Sequence, residues 1–155
     1  MEIIGKTSIH PVLFYSGKFA GYATWGALAV SLFTLPKETR LEPLSWISFI
    51  LLGLGLLVIV TSLINLGKST RLGLPQGPTR LKTNGLYKRS RNPMYLGFNL
   101  LTLSAILHLH TPLILVSGVY SIMIYHFIIL AEEKFMERCF KDDYIRYKET
   151  VRRYI

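Results

Sequence analysis

The chain has 155 residues, enough for one domain, and half of it is hydrophobic. A mean hydropathy of +0.36 is too apolar for an ordinary soluble domain. The net charge of +9 is gathered in a few segments, which argues for sided membrane insertion and against a nucleic-acid binder. A single cysteine, Cys139, excludes an intrachain disulfide and a cysteine-based zinc site. The first residues lack a basic segment followed by an apolar core and a small-residue cleavage site, so no removable signal peptide is expected.

Residues 1–18 are mixed in character, broken by Lys6, Pro11 and Lys18, and read as a flexible or interfacial lead-in. Residues 19–35 form an uncharged run at the short limit for a spanning helix. Gly17, Ala20, Gly21 and Thr24 make a small-residue face that would let a second helix approach. Residues 36–43 are a short charged turn, and residues 44–66 are a second uncharged run, roughly 35 Å long as a helix. Its Gly53-Leu54-Gly55 reads as helix packing rather than as a cofactor loop.

Residues 67–95 are a long loop with seven basic residues and no acidic one. Gly73, Pro75, Gly77 and Pro78 make its first half irregular. Residues 96–107 are apolar but short. His108-Leu109-His110-Thr111-Pro112 turns the chain, and residues 112–130 are the next apolar run. The two runs read as a tight hairpin of spans, with a re-entrant first arm as the alternative. His108 and His110 alone are too few ligands for a metal site. From Glu132 onward, Met136, Phe140, Tyr144, Tyr147, Val151 and Ile155 recur at steps of four and three. That stripe predicts an amphipathic interfacial helix, bent near Lys141-Asp142-Asp143.

These elements predict an all-α integral membrane protein, with four transmembrane helices and a C-terminal amphipathic helix. Lysine and arginine number 2, 2, 7, 0 and 7 along the successive non-spanning segments. With four spans, sixteen lie on one side and two on the other, which puts both termini and the long loop in the cytoplasm. The small size leans toward a prokaryotic plasma membrane. Residues 1–66 supply the two N-terminal spans of a single domain, and residues 67–155 its functional part.

Two stretches carry chemistry. In the first, Pro93 starts a helix, so Arg91 and Asn92 sit at a mouth whose free N–H groups attract anions. The plainer reading is a cationic loop that only orients the protein. In the second, Glu132-Glu133 follows nineteen uncharged residues, where carboxylates need partners. Either they pair with the basic loop or one of them receives a diol or an amino group.

Thr79-Arg80-Leu81-Lys82-Thr83-Asn84-Gly85-Leu86-Tyr87, then Arg91-Asn92-Pro93-Met94-Tyr95-Leu96-Gly97, a helical hairpin, and Glu132-Glu133 followed by Phe140, Tyr144, Tyr147, Val151 and Arg153 form one pattern. Over residues 67–155 it resembles the isoprenylcysteine carboxyl methyltransferase and phospholipid methyltransferase superfamily. The resemblance implies a membrane methyltransferase that binds S-adenosylmethionine without a Rossmann domain and methylates a membrane lipid or lipid-linked acceptor. It assigns Thr79, Arg80, Leu81, Lys82, Tyr87, Asn92, Pro93, Met94, Tyr95, Glu132 and Glu133 to the cofactor. Tyr144, Tyr147 and Arg153 fall to the substrate, and Arg91 and His126 are the candidate catalytic residues. His126 would take a proton from a neutral amine, although a histidine packed against a backbone carbonyl is the plainer reading. Isoprenylcysteine methyltransferases carry an arginine where Ile128 stands, which argues against an isoprenylcysteine carboxylate as substrate. The alternatives are a membrane sterol or steroid reductase using NADPH, disfavoured by Met94 and Phe98, and a non-enzymatic scaffold.

Overall fold

A computed structural model describes residues 7–34, 43–67 and 81–155. The calls on the first six residues, on the charged turn and on residues 68–80, including Thr79 and Arg80, lie outside the described residues. Among the described residues the α-helices are α1 (Pro11–Thr34), α2 (Pro43–Leu66), α3 (Pro93–Leu109) and α4 (Pro112–Thr150), with a 3-10 turn at Gly85–Lys88 before α3. Each α-helix opens on a proline, which has no N–H to leave unpaired in a first turn. The helix therefore starts at Pro11, well inside what reads from sequence as a lead-in. Lys18, two turns in, places its ammonium 4.1 Å from the Phe14 ring centre, so its charge does not end the helix.

α2 and α4 are long and apolar enough to cross a membrane, while α3, at 17 residues, is shorter. The turn between α3 and α4 is tight, as the sequence predicts. His110 takes the left-handed conformation, with φ 48°, and its N–H closes on the Ile106 carbonyl at 3.2 Å. Thr111 then caps α4, its Oγ1 accepting from the Ile114 N–H at 3.4 Å.

The helices meet along seams of small and hydroxyl residues. α2 packs along α3, and α1 packs against α4 and α3. A Cβ added at Gly97 would lie 2.9 Å from the Gly55 carbonyl oxygen and 2.6 Å from Ile59 Cγ1. Gly97 thus serves the close approach of a helix. Of the Gly53-Leu54-Gly55 pair, only Gly55 is at the seam; a Cβ on Gly53 would meet nothing within 4 Å. Further along the same seam Ser48 and Ser104 donate to each other's carbonyls at 2.9 and 2.8 Å. Gly17, Gly21 and Thr24 face α4, with Thr24 Oγ1 3.3 Å from Ser117 Oγ. Trp25, inside the bundle, donates from Nε1 to Thr102 Oγ1 at 2.9 Å.

α4 is not straight. Lys141 has φ 45° and ψ −122°, so the helix breaks there and turns back. Lys148 pairs with Glu137, eleven residues earlier, which a straight helix would hold about 16 Å apart. The apolar stripe is thereby folded on itself: Tyr144, Tyr147 and Val151 are buried against Met136, Phe140 and Leu81. Only Ile155 of that stripe stays exposed. The C-terminal helix is thus amphipathic, and the apolar face expected at the membrane interface packs largely on its own chain.

Two stability outcomes follow. Gly97→Ala is expected to lose about 1–3 kcal/mol, because backbone on one side cannot yield, read as a lowered Tm in detergent. Lys141→Gly is expected to gain about 1 kcal/mol, since relief of a strained φ outweighs the added freedom of the unfolded chain.

Candidate functional site

Three segments converge at the N-terminal mouth of α3. The 3-10 turn leads in through Gly85, whose φ of +61° favours glycine and whose missing side chain leaves room for the Asn65 amide. Asn92 stands at the N-cap of α3, but its side chain caps nothing. Its amide instead donates to Glu133 Oε1 at 3.2 Å and to the Arg153 carbonyl at 3.4 Å. Ser90 Oγ accepts from the Asn92 N–H at 3.2 Å and donates to the same Arg153 carbonyl at 3.3 Å. The Arg91 N–H reaches the Arg152 carbonyl at 3.0 Å. Residues 151–155 therefore lie as a strap across the mouth.

Glu133 is the centre of the cluster. Arg91 Nη2 lies 3.3 Å from Glu133 Oε1, and both side chains are 6% exposed. Arg153 holds the same carboxylate in a fork, Nε at 3.1 and 3.2 Å from its two oxygens and Nη2 at 3.0 Å from Oε2. The bond to Glu133 keeps the Arg153 guanidinium above its ordinary pKa, against a smaller effect of burial. Two guanidinium groups thus share one carboxylate, which leaves a surplus positive charge. Arg91 Nε and Nη1 are buried and have no hydrogen-bond partner.

Glu132, one residue earlier, points to different company. Tyr95 donates to Glu132 Oε1 at 2.9 Å. The Tyr95 ring is buried against Phe98 and Tyr125, with centroids 5.9 and 5.7 Å apart. Among the described residues no cation lies in ion-pair contact with Glu132, so much of its accepting capacity is free.

The other residues singled out from sequence are placed as follows. Pro93 is buried and Met94 half-buried at the start of α3. Leu81 and Lys82 are half-buried, Leu81 against the Tyr144 cluster. Tyr147 donates its hydroxyl to the Tyr87 carbonyl at 2.6 Å, which ties the 3-10 turn to the end of α4. Burial raises the Tyr87 and Tyr144 hydroxyls above the usual phenol value and pushes Tyr147 up to about 12, so Tyr147 stays a donor at neutral pH. Tyr144 and Tyr147 are buried with Val151, the first residue of the strap. Ile128 is fully buried in a core with Phe14, Tyr95 and Tyr125.

His126 is not in the Glu133 cluster, and among the described residues its hydrogen-bond partner is a side chain rather than a backbone carbonyl. Its Nδ1 shares a 2.7 Å hydrogen bond with the Tyr154 hydroxyl, and the two rings stack at 6.1 Å. Both line a cleft of about 530 Å³ between α3 and α4, walled by apolar residues such as Leu103, Met123 and Phe127. Sequence reasoning missed Tyr154 and Ser90. The one signal for Tyr154 was that a histidine on an apolar helix needs a polar partner somewhere.

A family model described as phospholipid methyltransferase matches residues 44–143. The chain belongs to the phospholipid methyltransferase family. The family match takes in α2, which carries no motif legible from sequence, and α3 with α4 to the bend. It includes Arg91, Asn92, Tyr95, Glu132 and Glu133 and stops short of Arg153 and Tyr154. No curated protein and no solved structure matches the chain.

Removing the Glu133 carboxylate leaves two arginines facing each other with no anion between them. Glu133→Ala is expected to cost about 3–5 kcal/mol, read by thermal unfolding, and to free the strap for trypsin cleavage after Arg152 and Arg153.

Proposed function

We propose that the protein is an integral membrane methyltransferase that uses S-adenosylmethionine to methylate a lipid or lipid-linked small acceptor at the cytoplasmic membrane face. The observations that support it are the buried Arg91 guanidinium, with Nε and Nη1 unpartnered, and the Glu132 carboxylate, bonded by Tyr95 and by no cation among the described residues. Buried polar groups almost always find partners, so such atoms in a site await a ligand. The cofactor carries a carboxylate, an ammonium and a ribose diol. Arg91 and its surplus charge complement the first, and Glu132 complements either of the others, so the residues present fit the group.

When bound, the cofactor supplies a sulfonium methyl, an electrophile that needs no acid catalyst. The chain's own work is positioning and water exclusion. Asn92, Pro93, Met94 and Tyr95 at the mouth of α3, with Leu81, Lys82 and Tyr87 before it, form the cofactor's surroundings. Glu133 holds Arg91 and the strap in place. Arg153, about a third exposed (32%), can meet an anionic head group. On the acceptor side, Tyr154 holds His126 Nδ1 and leaves Nε2 to take the proton shed by an amine as its lone pair closes on the methyl. Ile128 offers no charge to a substrate carboxylate, which favours an amine head group. The membrane is crossed four times, with both termini cytoplasmic, and the prokaryotic plasma membrane is its place.

Calorimetry on detergent-solubilised protein tests the reading with S-adenosylhomocysteine and NADPH. S-adenosylhomocysteine is expected to bind, and Glu132→Ala to weaken it about tenfold or more, a loss of ~1.4 kcal/mol. NADPH binding in its place would overturn the proposal in favour of a reductase.

A further inference from the structure

α1 lies outside the stretch matched by the family model, yet it brings a charge into the bundle. Across α1, α2, α3 and residues 112–131 of α4, Lys18 is the one lysine or arginine. An ionised side chain inside a spanning segment is costly and marks a functional contact more often than not.

Where that charge lies follows from the packing of α1 on α4. The two helices run antiparallel, with Gly17 against Ile124 and Gly21 against Ser121. Continued toward the mouth, this register sets Phe14 at the level of Ile128, and both belong to one buried cluster with Tyr95. A helical side chain leans toward the N-terminus of its own helix. Lys18 therefore leans up α1, and its ammonium rests 4.1 Å from the Phe14 ring centre. Glu132 lies one turn beyond Ile128 and leans back down α4 toward the same place. The two charges are near enough to act on each other, without ion-pair contact.

This cation is close to the site and uncommitted. Arg91 and Arg153 share Glu133, and Lys148 pairs with Glu137. Among the described residues the direct contact of the Lys18 ammonium is a ring face. A ring replaces only part of the hydration that an ammonium loses, whereas a phosphate oxygen replaces it with a charge-assisted hydrogen bond. Lys18 is half-buried, so a ligand from the lipid side can reach it.

We infer that Lys18 is a head-group residue of the acceptor site, binding the phosphate of a phospholipid and so setting its nitrogen toward Glu132. The inference rests on the methyltransferase reading for the word acceptor, but the binding itself can be read without it. The residue comes from the N-terminal helix, so the head group is met from α1 while the cofactor's surroundings come from α3 and α4.

The test uses the full chain in detergent and native mass spectrometry with two probes of the same acyl chain. Oleoyl lysophosphatidylethanolamine carries the phosphate, and monooleoylglycerol lacks it. Wild-type protein is expected to bind the phospholipid about tenfold or more tightly than the glyceride, the scale of one hydrogen bond to a charged group. Lys18→Met keeps the length of the side chain without its charge and is expected to bring the two affinities together. Lys18→Arg keeps the charge and is expected to keep the preference. Lys18→Gln gives the same reading as the methionine variant should that variant fail to fold. S-adenosylhomocysteine binding is expected to stay unchanged throughout. No preference in the wild type, an unchanged preference in the neutral variants, or equal loss in Lys18→Arg would each overturn the inference. So would weaker S-adenosylhomocysteine binding in Lys18→Met with lipid binding intact, which would assign the ammonium to the cofactor carboxylate. Absence of S-adenosylhomocysteine binding in every protein, with the lipid results as expected, would sink the methyltransferase reading alone.

Discussion

The carboxylate of Glu133 is a buried anion, and the arrangement of the site depends on how it is solvated. Burying one such ion costs several kcal/mol unless donors replace the lost water. Here the donors come from Arg91 and Asn92 before α3 and from Arg153 beyond α4. None of these segments can leave without exposing or stranding the charge. The Arg91 N–H, bonded to the Arg152 carbonyl, and the Ser90 hydroxyl, bonded to the Arg153 carbonyl, fasten the same junction. The strap can reach it only because α4 reverses at Lys141, so a strained residue far from the carboxylate is a condition of the site.

A second constraint lies between the helices. In a lipid environment apolar side chains gain little from meeting one another, and association rests on close packing and hydrogen bonds. The Gly55–Gly97 contact and the Ser48–Ser104 exchange supply both between α2 and α3. Gly97 also belongs to the run that begins at Arg91. The first turns of α3 therefore serve the polar mouth at one end and the α2 seam at the other.

What could be read from sequence is what local chemistry decides. The hairpin at His108–Pro112 follows from a proline and a cap. The bend at Lys141 falls in the polar run Lys141-Asp142-Asp143, while the apolar stripe itself continues from Phe140 to Tyr144. The meeting of residues 91–97 with Glu132 and Glu133 follows from the hairpin register. The start of α1 at Pro11 was obscured because Lys18 looks like an end of apolar sequence, whereas its charge rests on the Phe14 ring. The pairings of Arg153 with Glu133 and of Tyr154 with His126 join residues 20 and 28 apart through a chain reversal, and no periodicity encodes the direction of that reversal. Gly97 shows a different limit: a motif marks where a small residue is needed, and only the fold shows whether a ligand or a helix fills the space.

The strap also relates two polar positions on α4. Arg153 closes on Glu133 at the mouth, and its neighbour Tyr154 closes on His126 in the α3–α4 cleft. Both residues lie beyond the reversal at Lys141, so one short segment supplies the partner of the carboxylate and the partner of the imidazole.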